Sequence, residues 1–316
     1  MVYQSRRSAA SSPLAIDVAA PVESGGMGLP PARCGVKRVP TTATPADTGR
    51  FAALVRACHP EPTAAVTLFA TALAISSGRS ASGIAAVAAA VFTGQLSIGW
   101  SNDVIDQERD AAGGRTEKPI AAGGVAPGPV TLACMVALVA CVPLSFASGG
   151  PAGWTHLCAV ASAWVYNLGL KGTRLSVLPY ALSFALLPAF VALGLPDHPA
   201  PPWWLPLAGA LLGSGAHFAN ALPDLATDAR TGVRGLPQHL GAAGSRRSAA
   251  LLLATGSAVA VLGPADLSPW RVAVLVAVTA LTVLGLRLGD RHAFRIAMAV
   301  AALDVALVVA AGTYLT

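Results

Sequence analysis

The sequence predicts an all-α protein that crosses a membrane nine times. Three observations carry that prediction. The 316 residues are 54% hydrophobic and only 11% charged, whereas a soluble domain carries about 25% charged residues. The apolar residues gather into nine runs of near-spanning length, and mean hydropathy is +0.61. The basic residues fall almost entirely on one side of the topology that those runs define.

Residues 1–48 are rich in Ser, Ala, Pro, Gly and Thr and lack both a helical period and a long apolar run, which predicts a disordered cytoplasmic tail. Arg6-Arg7 is followed by no apolar segment, so an export signal is not expected. Residues 49–316 form the membrane domain. Its spans are predicted at 61–78, 83–105, 126–147, 152–170, 174–194, 203–223, 247–264, 269–288 and 293–315. Pro143 and Pro188 lie inside spans, which neighbouring helices tolerate. Ala and Gly dominate the faces and permit close helix approach.

With the N-terminus inside and the C-terminus outside, nineteen basic residues lie on the cytoplasmic side and two, Arg79 and Arg271, on the other. A miscounted span would scramble this bias, so it supports the count of nine in a cytoplasmic membrane. The five cysteines form no CxxC pair and read as small buried hydrophobes. No nucleic acid and no obligate protein partner is expected.

The acids are concentrated. Of fifteen, six fall in two short segments: Asp103, Asp106, Glu108 and Asp110, then Asp224 and Asp228. In the first segment, Asn102-Asp103-x-x-Asp106-x-x-x-Asp110 ends span 2, and helical spacing puts its three aspartates on one face. Carboxylates crowded at a helix C-terminus repel one another and the macrodipole unless a cation joins them. Hard divalent ions prefer such oxygens, and magnesium completes its shell with water and phosphate. The plain alternative is a solvated charged loop. The second segment, Asn220-x-x-x-Asp224-x-x-x-Asp228, ends span 6 with i, i+4, i+8 spacing. His217 shares that face two turns deeper, and Pro223 is expected to bend the helix before the acids. Both segments lie on the cytoplasmic side, as do the phosphate-contact candidates Arg109, Arg115, Lys118, Lys171, Arg174 and Arg230. Each of these is also explained by ordinary positive-inside charge. Two opposed acidic faces suit a diphosphate bridged by metal ions.

These residues resemble the UbiA superfamily of membrane prenyltransferases. Asn102, Asp103, Asp106 and Asp110 match its NDxxDxxxD motif. The second segment resembles its DxxxDxxxD, with Asn220 in the first Asp position. Arg115-Thr116-Glu117-Lys118-Pro119-Ile120 followed by Gly123-Gly124 resembles the Arg-Pro-Leu-x-x-Gly segment, with Lys118 replacing Arg. Tyr166 to Lys171 resembles the Tyr…Lys segment that ends span 4. The likeness covers roughly residues 50–316. It implies nine helices ringed around a central cavity that opens laterally to lipid.

The resemblance also implies a chemistry. Two or more Mg2+ ions bound by Asn102, Asp103, Asp106, Asp110, Asn220, Asp224 and Asp228 would bridge to a prenyl diphosphate. Lys118, Lys171, Arg109 and Arg174 would assist its ionisation, and the ring of Tyr166 would face the allylic cation. A small acceptor, often aromatic in this family, would then attack. His217 is a candidate acceptor contact or proton acceptor, or else a histidine hydrogen-bonded within the bundle. Asp304, near the middle of span 9, is either functional or a bonded structural acid.

The nearest rival is a terpene cyclase of the same superfamily, which closes the chain on itself without an acceptor. A transporter would place acids at the midplane and show internal repeats, and a scaffold would not need two matched acidic faces. Trp100, Trp164, Trp203, Trp204 and Trp270 read as interface or packing aromatics, and His59-Pro60-Glu61-Pro62 reads as the start of span 1.

Overall fold

The computed structural model describes residues 47–264, 267–288 and 290–315, so the expected tail lies almost wholly outside the described residues. Each of the nine predicted apolar stretches coincides with a helix. They are α2 (Pro60–Ser76), α3 (Ala81–Ala112), α4 (Pro127–Phe146), α5 (Gly150–Asn167), α6 (Val177–Leu193), α7 (Trp204–Ala221), α9 (Leu236–Leu262), α10 (Pro269–Arg287) and α11 (Asp290–Ala310). Two further helices were not predicted: α1 (Asp47–Ala57) and the short α8 (Leu225–Arg230). Among the described residues there is no strand. By length and composition, Ala81–Ala112, Pro127–Phe146, Pro269–Arg287 and Arg295–Tyr314 can cross a membrane, and Val177–Leu193 is apolar but shorter.

Local chemistry sets the helix starts. Proline occupies the first turn of α2, α4 and α10, where its missing N–H costs nothing. The Ser80 hydroxyl accepts from the Gly83 N–H at 3.2 Å and caps α3. Helix α9 begins earlier than its predicted span, and Gly241 (φ 68°) breaks it near its start.

Each of the nine long helices packs on the next along the chain, and α11 closes back on α2. The largest apolar cluster joins Leu73 of α2, Val87 and Val91 of α3, Phe190 of α6, Leu205 of α7 and Val261 of α9. These residues come alternately from helix ends and helix starts. The helices therefore run antiparallel, and the core lies at the end away from the last turns of α3, α5 and α7.

The outer surface is apolar. On α4, Leu132, Val136 and Val139 form an exposed stripe at helical spacing, and Val272, Val276 and Val283 do the same on α10. Faces like these are stable against lipid and would be aggregation-prone in water. The protein is an integral membrane protein. The two arginines assigned to the outer side are both tucked into the protein. Arg79 donates to the Val191 carbonyl at 3.3 Å, and Arg271 lies over the rings of Trp270 and Tyr314 at 5.4 and 5.0 Å.

Candidate active site

Helix α3 continues past its apolar stretch and carries Asn102, Asp103, Asp106 and Asp110 on its last turns. All three carboxylates face inward and are 2–5% exposed. Gly113 and Gly114 end the helix. Gly114 has φ 68°, a conformation open to glycine at little cost, and the turn it makes sends the chain back over α3. That return brings Lys118 onto the acids. Its ammonium donates to Asp103 Oδ1 at 2.8 Å and to Asn102 Oδ1 at 3.1 Å, and lies 2.8 Å from His59 Nε2.

Asp106 is held from the other side. Lys171, in the 3-10 turn Leu170–Gly172 after α5, donates to both of its oxygens at 2.5 Å. Arg109 pairs with Asp106 Oδ2 at 2.6 Å, and Asn102 Nδ2 donates to the same oxygen at 3.1 Å. Asn167, the last residue of α5, fixes Asn102. It accepts from Asn102 Nδ2 at 3.3 Å and donates to Ser101 Oγ and the Ile98 carbonyl, both at 2.9 Å. Burial pushes the Lys171 ammonium below its ordinary range, against the pull of Asp106.

The second motif differs from the expected continuous face. Helix α7 ends at Ala221, and Asp224 stands at the start of α8. Pro223 has no N–H to offer the carbonyl four residues back, so the helix breaks instead of bending. Asp228 then sits in α8, where its N–H bonds the Asp224 carbonyl at 2.8 Å. Gln238 donates to Asp228 Oδ2 at 2.7 Å. Burial, with nearby Asp224 adding to it, raises the Asp228 carboxyl above its ordinary value.

One residue joins the two motifs. Arg115 donates to Asp224 Oδ1 and Oδ2 at 3.2 and 3.3 Å and to Glu117 Oε1 at 2.7 Å. Burial works against its charge, but Glu117 and Asp224 hold it firmly in the charged form. Other predicted residues lie further off. Arg174 is exposed with no ion pair among the described residues. Arg230 is also exposed and reaches only Thr227. Asn220 is exposed in the last turn of α7. His217 turns toward α6, with Nε2 3.0 Å from Ser176 Oγ.

Behind the acids lies an aromatic group. The Tyr166 ring meets Tyr180 edge-on at 5.2 Å and His217 at 5.8 Å, and Tyr180 lies 4.9 Å from His217. Tyr180, His59, Asn167 and Gln238 were missed by motif reasoning. Tyr180, His59 and Asn167 reach the site from distant parts of the chain, and Gln238 from ten residues beyond Asp228. Only the polarity of Asn167 and Gln238 at the ends of apolar runs could have marked them.

The donor set fits magnesium. Among the described residues no three acidic, imidazole or thiol side chains form a ready cluster. Yet Asp103 Oδ2 is buried with no hydrogen-bond partner there, although Oδ1 of the same carboxylate is contacted by Lys118 and His59. A buried bare carboxylate oxygen is costly in isolation and suited to a hard cation.

The family model of the UbiA prenyltransferase family matches residues 63–292. Solved structures share the fold. A UbiA homologue from Archaeoglobus fulgidus bound to GPP and Mg2+ superposes with a TM-score of 0.61 at 17% identity, covering 82% of this chain and 99% of that one. An apo UbiA homologue from Aeropyrum pernix K1 gives a TM-score of 0.64 at 18% identity, covering 78% and 96%. A digeranylgeranylglyceryl phosphate synthase gives 0.64 at 13% identity, covering 84% and 99%. No curated protein matches the chain in sequence.

Proposed function

The chain belongs to the UbiA prenyltransferase family, and from that premise we propose that it is a magnesium-dependent intramembrane prenyltransferase moving a prenyl group from a prenyl diphosphate to a small aromatic acceptor. One observation carries the reading. Both acidic motifs and the cations Lys118, Lys171, Arg109 and Arg115 meet at one end of an apolar helical ring. Such a site binds a polyanion at its mouth while hydrocarbon lies behind it. That geometry suits a lipid diphosphate.

Asp103, Asp106, Asp110, Asp224 and Asp228, with Asn102 and Asn220, are the proposed metal-binding oxygens. Bound there, Mg2+ would supply charge neutralisation and Lewis acidity at the departing diphosphate. Lys118, Lys171, Arg109 and Arg115 are within reach to contact phosphate oxygens directly. Tyr166 and Tyr180 offer ring faces to positive charge developing on the prenyl carbon. The apolar helices exclude water, which would quench that charge.

The nineteen-to-two basic bias supports a nine-span topology with the N-terminus inside, the C-terminus outside and the site opening to the cytoplasm. The test is to incubate the purified protein with geranyl, farnesyl or geranylgeranyl diphosphate, with and without Mg2+ and a panel of aromatic acceptors. A prenylated acceptor formed only with Mg2+ is expected. A cyclic hydrocarbon formed without acceptor would assign the chain to the cyclase chemistry instead.

A further inference from the structure

The corner between α1 and α2 is seated on α3 by two specific contacts and braced by a third within itself. Gly99 of α3 lies so close to the Cys58 carbonyl that a Cβ there would approach it to 2.0 Å. Thr63 Oγ donates to that same carbonyl at 3.0 Å, and Trp100 Nε1 donates to the Leu54 carbonyl at 2.9 Å. His59 follows Cys58 with φ 57°. This left-handed conformation is strained for a non-glycine residue, and surrounding contacts must hold it.

The corner aims one side chain. His59 Nε2 stands 2.8 Å from Lys118 Nζ and 3.1 Å from Asp103 Oδ1. The Lys118 ammonium has three protons and three neighbours placed to receive them: Asp103 Oδ1, Asn102 Oδ1 and His59 Nε2. An ammonium only donates, so Nε2 accepts and the imidazole carries its proton on Nδ1. With all three protons placed, Lys118 is fixed against Oδ1, and the buried Oδ2 of Asp103 is left without a partner.

We infer that His59 is a positioning residue that locks Lys118 onto one oxygen of Asp103 and so leaves the other open to magnesium. The inference rests on the reading of Asp103 as a metal ligand. It assigns a role to a residue whose sequence context marks only a helix start. Partners of a metal's ligands typically govern affinity by about 10–100-fold.

The test uses the full-length protein in detergent, with Mg2+ alone as probe and its thermal stabilisation as readout. His59→Ala is expected to raise the Mg2+ concentration for half-maximal stabilisation at least about tenfold. His59→Gln, whose amide oxygen can accept the Lys118 proton, is expected to restore most of the response. His59→Leu repeats the measurement if the alanine variant does not fold. An unchanged midpoint in His59→Ala or His59→Leu overturns the inference, as does equal impairment in His59→Gln. Asp103→Ala separates the two levels. If it retains the full Mg2+ response, the metal-ligand reading itself fails.

Discussion

Asp103, Asp106 and Asp110 sit on one unbroken helix and are almost fully buried, whereas Asp224 and Asp228 lie on a short helix beyond a break and remain partly exposed. Within the first group, Asp103 is paired with Lys118 and Asp106 with Lys171 and Arg109 at 2.5–2.8 Å. In the second, Asp224 meets one arginine at 3.2 Å, and Asp228 meets an amide. A buried carboxylate needs a partner to remain charged, while a half-exposed one has water. The first motif is therefore part of the bundle's architecture, and the second is a short segment laid against it through Arg115. Similar spacing in the chain does not give equivalent roles in stability.

This contrast can be broken experimentally, beginning with the largest effect. Asp103→Ala should lower turnover on the order of 10²–10³-fold or more. It should also cost about 3–5 kcal/mol of stability by stranding the Lys118 charge. Asp224→Ala should lower turnover comparably, yet change stability by no more than about 1 kcal/mol, because its ion pair with Arg115 is partly exposed. Equal losses of stability in the two variants would erase the distinction. Gly99→Ala should cost about 1–3 kcal/mol in thermal or denaturant unfolding, since the new methyl meets the Cys58 carbonyl backbone. An unaltered melting temperature would show that the corner is not held as described.

The smallest effect is one of pH. The Asp228 carboxyl is raised above its ordinary 3.8 by burial. Between 3.8 and its raised value the folded form binds more protons than the unfolded one, so this group's contribution to stability falls as pH rises through that window. In EDTA, Asp228→Asn should remove that slope and be at least as stable as the parent at neutral pH. A steeper loss of stability in Asp228→Asn would reverse the sign.

The long helices were legible because each rests on a local property, an apolar run bounded by Pro, Gly or charge. Asp103, Asp106 and Asp110 were legible for the same reason, since helical spacing within one element decides which face they share. Helix α1 was not. Its buried contacts come from Ala53 and Ala57, small residues that leave no apolar period. The break at Pro223 was foreseen only as a bend, because sequence shows the missing N–H but not whether neighbours tolerate it. His59 was legible only as a helix start. Its backbone angle and its neighbours Asp103 and Lys118 are set by packing between segments far apart in the chain.

The Arg115–Asp224 pair also fixes a timetable. Lys118 follows its partner Asp103 by 15 residues, and Lys171 reaches Asp106 across 65. Arg115 must wait 109 residues for Asp224 to be made. At a synthesis rate of about 5–20 residues per second, that wait is roughly 5–20 s. A nascent chain can assemble the first half of the site early, while the second half arrives only after six of the nine apolar stretches have been made. The complete constellation is thus a late event in the life of each molecule.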